Sequence, residues 1–171
     1  MNYEPTSHSH LPLAIVAVAA TKGTILELGL GWGSTPVLAT MARVMNRQHL
    51  AFEDAPDWIA AMQGIVRDPI RLVAVNKWKE LEFQRCGMAL VDHSCANQRP
   101  DSVRSLFGVA DIVVAHDTGP SAEHEAVYQW GDCFSQFKFV VIDHRWEPWT
   151  TAVTNDRALW SIMKNAIGEK A

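Results

Sequence analysis

The sequence predicts a single α/β domain whose mostly parallel sheet is covered by helices on both faces. Three observations predict it. Apolar runs of strand length alternate with longer stretches of helical periodicity along the 171 residues. Those runs are nearly all apolar, the pattern of strands buried on both sides. The last two follow one another with no helix between them, and a hairpin there places one antiparallel strand in the sheet.

The elements follow in order. Leu11–Ala20 is apolar but far shorter than the ~20 residues of a bilayer span, and no Lys or Arg precedes it. It reads as an amphipathic or buried helix. Residues 24–28, β-branched and apolar, form a first strand that ends in glycines. Residues 35–46 form a helix with Val37, Leu38, Met41, Val44 and Met45 on its apolar face. A second strand at 49–52 leads to a helix at 57–67 behind Pro56, a residue welcome in a first turn. Strands at 70–75 and 88–91 come next, then a short helix at 100–107 closed by Gly108. A fifth strand at 112–115 precedes a helix at 122–130 that ends at Gly131. Strands at 137–142 and 150–154 follow, and Asp156 caps a last helix running to Ile167. No repeat, low-complexity stretch or linker divides residues 1–171, so they are one domain with loose tails at 1–9 and 169–171.

Composition narrows the function classes. A net charge of -4 lacks the diffuse positive field of most nucleic-acid binders, so neither a nucleic-acid nor a membrane partner is expected. Cys86, Cys95 and Cys133 show no CxxC spacing, which argues against a disulfide framework and a thiolate zinc site. They read as free thiols in a reducing cytoplasm.

The chemistry starts at Glu27-Leu28-Gly29-Leu30-Gly31-Trp32-Gly33-Ser34, between the first strand and the first long helix. Gly29 and Gly31 let the backbone turn sharply and approach a ligand, and the helix start attracts an anionic group. The spacing is GxGxG. It is neither the GxGxxG of dinucleotide sites nor a phosphate loop, which needs a lysine. The form E-x-G-x-G-x-G resembles the first motif of class I S-adenosylmethionine-dependent methyltransferases. That resemblance covers nearly the whole chain. It implies a Rossmann-like three-layer sandwich with seven strands in the order 3-2-1-4-5-7-6. It also implies that Glu27 contacts the ligand amino group, directly or through water, and that Gly29, Leu30, Gly31, Gly33 and Ser34 hold the methionine moiety.

Further cofactor contacts are expected at two other tips. A carboxylate after the second strand can accept from both ribose hydroxyls, and Glu53 and Asp54 stand there, Glu53 directly after Leu50-Ala51-Phe52. Asn76, after the third strand, is placed to pair with adenine.

Two Asp-His pairs end neighbouring strands, Asp92-His93-Ser94 on the fourth and His116-Asp117 on the fifth. Asp92 and His93 stand beside the cofactor, and all four residues are the candidates for catalysis. Three roles stay open. Asp92 and Asp117 could hold a divalent ion such as Mg2+, with Glu123, Glu125 or Asp143 as a third acid. His93 or His116 could act as general base. The group could also be a structural network. D-H-S followed by H-D resembles a methyltransferase subfamily acting on small molecules and sugars, which often uses magnesium at such acids. This chain departs from it in Arg99, Asp101 and Arg104, and in Val109-Ala110 where a glycine pair is usual.

In the last quarter, His144, Arg145, Trp146 and Trp149 either line an acceptor pocket or, for the tryptophans, pack beneath the hairpin. The function implied is methyl transfer from S-adenosylmethionine to a small-molecule hydroxyl. The alternatives are a protein that only binds S-adenosylmethionine and an enzyme that cleaves it. The fourth strand lacks the Asn/Asp-Pro-Pro-aromatic motif common in base methylation. The assembly is left open, a homodimer among the options.

Overall fold

A computed structural model describes residues 8–66 and 70–169. The elements are α1 (Leu11–Ala20), β1 (Ile25–Leu28), α2 (Ser34–Val44), β2 (His49–Glu53), α3 (Pro56–Ile65), β3 (Ile70–Ala74), β4 (Cys86–Val91), α4 (Arg99–Ser105), β5 (Ala110–His116), α5 (Ala122–Tyr128), β6 (Phe139–Asp143), β7 (Thr150–Thr154) and α6 (Arg157–Ala166). Short 3-10 turns at Trp78–Glu80 and Ala96–Gln98 lie outside the sequence expectation.

The sheet order is β3-β2-β1-β4-β5-β7-β6. β1 to β5 pair in parallel, and β7 runs antiparallel between β5 and β6. Burial grades from centre to edge. β1, β4 and β7 are buried at every position, whereas β2 alternates and the edge strands β3 and β6 are partly exposed. β4 accordingly reads as an unbroken apolar run, while β1 carries Glu27 and β7 is rich in threonine.

Two apolar layers sandwich the sheet. On one face Leu13, Ala17 and Val18 of α1, Leu38 and Ala42 of α2 and Met163 of α6 pack on Ile25, Met88, Leu90 and Ile112. On the other, Val103 of α4, Leu106, Trp130 and Phe137 cover Leu28, Ala89, Val91 and Val113. Met62 of α3 packs separately on Ala51 and Leu30. Among the described residues no helix is long and apolar enough to cross a membrane.

Several expected boundaries move. The first long helix ends at Val44, two residues early, because Asn46 turns into the left-handed region at φ 51°. Val44 is 76% exposed and Met45 is also exposed, so they leave the expected apolar face. Ser34, Thr35, Ala39 and Ala42 are buried instead, since small side chains let α2 lie close to the sheet. The helix after β5 stops at Tyr128, where Gln129 takes φ 57°. Phe137 precedes β6 and packs in the core. The expected helix residue Arg67 lies outside the described residues. The tail expected to be loose up to Ser9 is instead anchored at its end, with Ser9 buried and bonded to His116.

Candidate functional site

The glycine turn sits at the carboxyl end of β1, where open α/β sheets bind their ligands. Gly29 has φ +98°, and a Cβ there would lie 2.5 Å from the backbone of His93. The turn therefore packs directly on the tip of β4, a position only glycine fits. Around it the backbone is fixed on every side. Gly29 N donates to Phe52 O (2.9 Å), and Trp58 Nε1 donates to Leu30 O (2.5 Å). Gly31 N donates to Thr35 Oγ1, which in turn donates to Glu27 Oε1 at 3.0 Å. His49 Nε2 stands 3.0 Å from Glu27 Oε2. Glu27 is completely buried. Its carboxylate is held by Thr35 on one oxygen and faces His49 with the other. Ser34 Oγ is buried without a hydrogen-bond partner among the described residues, facing the missing Cβ of Gly31. The His8 ring lies where a Cβ on Gly33 would go, and Trp32 is 42% exposed.

At the tip of β2, Glu53 accepts from Leu30 N (2.9 Å), Asp54 N and Ala55 N (3.0 Å each). Burial pushes its carboxyl above the usual range, and the backbone donors partly offset this. A carboxylate has about four acceptor sites, so three bonds leave one for a ribose hydroxyl. Asp54 accepts from Trp78 Nε1 (3.0 Å), Ser94 Oγ (3.0 Å) and Cys95 Sγ (3.4 Å). Burial opposes its ionisation, but these bonds prevail and lower its pKa. Asn76 is exposed in the turn after β3.

The two Asp-His pairs separate. His93 turns away from the strand tips. It stacks on Trp78 (4.0 Å between ring centroids) and its Nε2 bonds Ser102 Oγ at 3.0 Å. Burial, then Arg99, lowers its pKa to about 3, so it is a neutral core imidazole. Asp92 and His116 converge, with His116 Nδ1 3.1 Å from Asp92 Oδ1. Asp117 is brought beside them but spent, because its Oδ2 accepts from Arg99 Nη1 (2.7 Å) and Tyr128 OH (2.8 Å). Arg99 is buried. It also reaches Asp92 Oδ1 (3.0 Å) and donates to His93 O (2.7 Å).

Two further residues arrive from the turn before α1. Ser9 Oγ lies 2.9 Å from His116 Nε2 and donates to Pro148 O at 2.6 Å. A hydroxyl has one proton, and the shorter bond takes it. Ser9 therefore accepts from His116 Nε2–H, and Ser9-His116-Asp92 is not a nucleophile triad, which needs the serine proton on the imidazole. His10 is 2% exposed, its ring centroid 4.5 Å from that of His116 and its Nδ1 3.9 Å from Asp92 Oδ2. Burial lowers its pKa to about 4, against the pull of Asp92. Burial also opposes ionisation of Asp92, but the His116 hydrogen bond and the charges of His116, Arg99 and His10 hold its pKa at about 2. Sequence reasoning missed Ser9, His10, Arg99 and Trp78 as parts of this group. The available signal was two of seven histidines within three residues, at His8 and His10.

Magnesium on Asp92 and Asp117 finds no specific support. Both carboxylates pair with Arg99, Asp117 also accepts from Tyr128, and the groups that meet Asp92 are the imidazoles of His10 and His116, whereas magnesium takes oxygen. Asp143 is committed too, pairing with Arg145 Nε and Nη2 at 2.8 Å each. Glu123 and Glu125 are exposed on α5. In the β6–β7 loop His144 and Arg145 are exposed and Trp146 is 59% exposed, so Trp146 does not pack beneath the hairpin. Trp149 is half-buried beside His144. A cavity of about 550 Å³ lined by Thr21, Lys22, Arg85, Asp111 and Asp156 opens at the opposite end of the sheet, away from all these groups.

No family model and no curated protein matches the sequence. Solved structures match in fold. A tomaymycin-synthesis O-methyltransferase from Streptomyces achromogenes, in complex with S-adenosylmethionine, is 12% identical over 90% of this chain and 82% of that one, at TM-score 0.60. A methyltransferase from Podospora anserina with S-adenosylhomocysteine bound is 15% identical over 84% and 76%, at TM-score 0.63. An N-methyltransferase from Bradyrhizobium japonicum is 11% identical over 92% and 100%, at TM-score 0.64. The chain has the Rossmann-like α/β fold of class I methyltransferases. The likeness extends over nine-tenths of its length in two of these three.

Proposed function

We propose that this protein binds S-adenosylmethionine and transfers its methyl group to a small-molecule hydroxyl. The observation that carries the reading is the glycine turn at the tip of β1, clamped by Glu53 through Leu30 N. Its fit to the cofactor rests on the unpartnered Ser34 hydroxyl and on the absent side chains at Gly29, Gly31 and Gly33. Glu53 keeps one acceptor site for the ribose, and Asn76 stands exposed where an adenine edge would lie. Tryptophans 146 and 149 offer apolar surface to an acceptor.

S-adenosylmethionine, when bound, supplies a methyl group activated by a sulfonium. Taking that methyl group on an acceptor oxygen would leave the hydroxyl proton to a base of this chain. This chain's residues contribute position and electrostatics. His93 is excluded as that base by its burial against Trp78. His116 has both ring nitrogens engaged, so activation of the acceptor falls to the Asp92-His116 unit, of which Asp92 is the more exposed at 20%.

Calorimetry tests the cofactor. Both S-adenosylmethionine and S-adenosylhomocysteine should bind, and Gly31→Arg should abolish binding by filling the turn. Heat from neither ligand would sink the reading. Asp92→Asn should keep S-adenosylhomocysteine affinity within about threefold while lowering turnover by about 100-fold or more.

A further inference from the structure

We propose that His10, Asp92 and His116 form a binding site for one first-row transition-metal ion. The three come from the turn before α1 and from the tips of β4 and β5. One donor atom from each lies within 4.8 Å of the other two. His116 Nδ1 is 3.1 Å from Asp92 Oδ1, and His10 Nδ1 is 3.9 Å from Asp92 Oδ2. Zinc bonds of about 2.0–2.2 Å put neighbouring ligand atoms roughly 3–3.5 Å apart in a tetrahedron. The side chains stand close to that arrangement already.

Two independent observations point to a ligand here. Both nitrogens of His10 are buried with no hydrogen-bond partner among the described residues. An imidazole beside a carboxylate, left unsatisfied, is costly unless something takes its lone pair. The second is the pairing of His116: its Nε2 faces Ser9 Oγ, itself a donor to Pro148 O, while its Nδ1 faces Asp92 Oδ1. Metal-bound histidines use the same pattern, one nitrogen on the ion and the other donating to an orienting oxygen.

The outer partners are in place. Ser9 orients His116, and Arg99 orients Asp92 while its own charge is shared with Asp117. Two carboxylates against one guanidinium leave the group one negative charge before any ion enters. Two imidazoles and one carboxylate select zinc, cobalt, nickel or copper over magnesium. Three protein ligands leave a position for water or a substrate hydroxyl. The use of the ion in methyl transfer rests on the function proposed above, but its binding does not.

The test uses the full chain without a histidine tag, stripped with chelator and titrated with cobalt(II). The expected result is a visible d–d absorption that saturates at one equivalent, is bleached by zinc and is unaffected by millimolar magnesium. Removing an outer partner costs metal affinity about 10–100-fold. Ser9→Ala should fall near the lower figure, and His10→Ala and His116→Ala should lose about 100-fold or more. His124→Ala, on α5, should bind as the parent does. His10→Gln keeps the side-chain volume should the alanine variant fail to fold, with circular dichroism as the check. Absence of a band, or full affinity in either His10 variant, overturns the site. Calorimetry with S-adenosylhomocysteine on the same preparation reads the cofactor separately, so cofactor binding without cobalt binding overturns only the metal site.

Discussion

At the scale of single residues, burial decides what each polar group can do. Glu53 sits buried against three backbone donors, which only partly offset the burial that raises its pKa. In Glu53→Gln the amide NH2 would face a backbone N–H, so at least one bond is lost. Unfolding in urea should show a loss of about 1–2 kcal/mol, and S-adenosylhomocysteine affinity should drop about tenfold or more. An unchanged affinity would remove Glu53 from the cofactor site. Asp143 makes a different case. Burial opposes its ionisation, but the Arg145 hydrogen bonds outweigh it and lower its pKa. A carboxylate with a depressed pKa stabilises the fold above its unfolded value near 3.8, and that contribution fades as pH falls through the folded value. Arg145→Ala leaves only the residue-145 backbone N–H and His144 to oppose burial, and raises the pKa. The variant should be less stable by about 1–2 kcal/mol at pH 7, the figure reduced for the exposure of Arg145. The gap should narrow below about pH 4, measured by urea unfolding at both pH values. Legibility in the sequence follows the same logic. Glu53, Asp92 and His116 could be read because they directly follow apolar strands. The orientation of Glu27 follows from strand alternation, which puts it on the α2 side with Ile25. The histidines at 8 and 10 mark the segment before α1 as unusual, but no periodicity places Ser9 and His10 over the tips of β4 and β5.

At the scale of elements, the strands were legible and the helix ends were not. A strand buried on both faces is mostly apolar, so β4 and β5 announce themselves, and β1 does so despite its buried Glu27. Helix ends depend on single backbone dihedrals, as at Asn46 and Gln129, which no apolar pattern encodes. The α2 face was misread because close packing on the sheet rewards Ala39 and Ala42 over larger Val44 and Met45. The glycine turn carries the sharpest prediction at this scale. Gly29→Ala would combine a strained φ of +98° with a Cβ driven into the backbone of His93, which cannot move aside. It should cost about 3 kcal/mol or more. Gly33 has an ordinary φ of -89°, and its added Cβ would meet the His8 ring rather than backbone. Gly33→Ala should therefore cost less than Gly29→Ala. Chemical denaturation of both variants measures the contrast, and equal losses would show that His8 is as fixed as the β4 backbone.

At the scale of the whole molecule, the turn joins what the sheet order brings together. Gly29 touches β4 through His93 and β2 through Phe52 O, Leu30 is held by Glu53 and Trp58, and Gly31 is held by α2 through Thr35. The turn is thus held by groups from four elements that meet only in the folded chain. Binding to the native state alone raises stability by RT ln(1 + [L]/Kd), about 2.7 kcal/mol at one hundred times Kd. For a domain of this length each kcal/mol moves Tm by about 2–4 °C. Saturating S-adenosylhomocysteine should therefore raise Tm by roughly 5–11 °C. NAD should not, because its pyrophosphate needs the third glycine of GxGxxG inside the helix, and here that spacing is one residue short. Gly31→Arg should erase the rise without lowering the ligand-free Tm as far as Gly29→Ala does, since Gly31 takes no left-handed φ and meets only the Ser34 side chain nearby. Scanning calorimetry of the three proteins, with each ligand, reads all of these. An equal rise with NAD would return the turn to a general nucleotide loop, and the Glu53 clamp would then be architecture shared with any adenosine ligand.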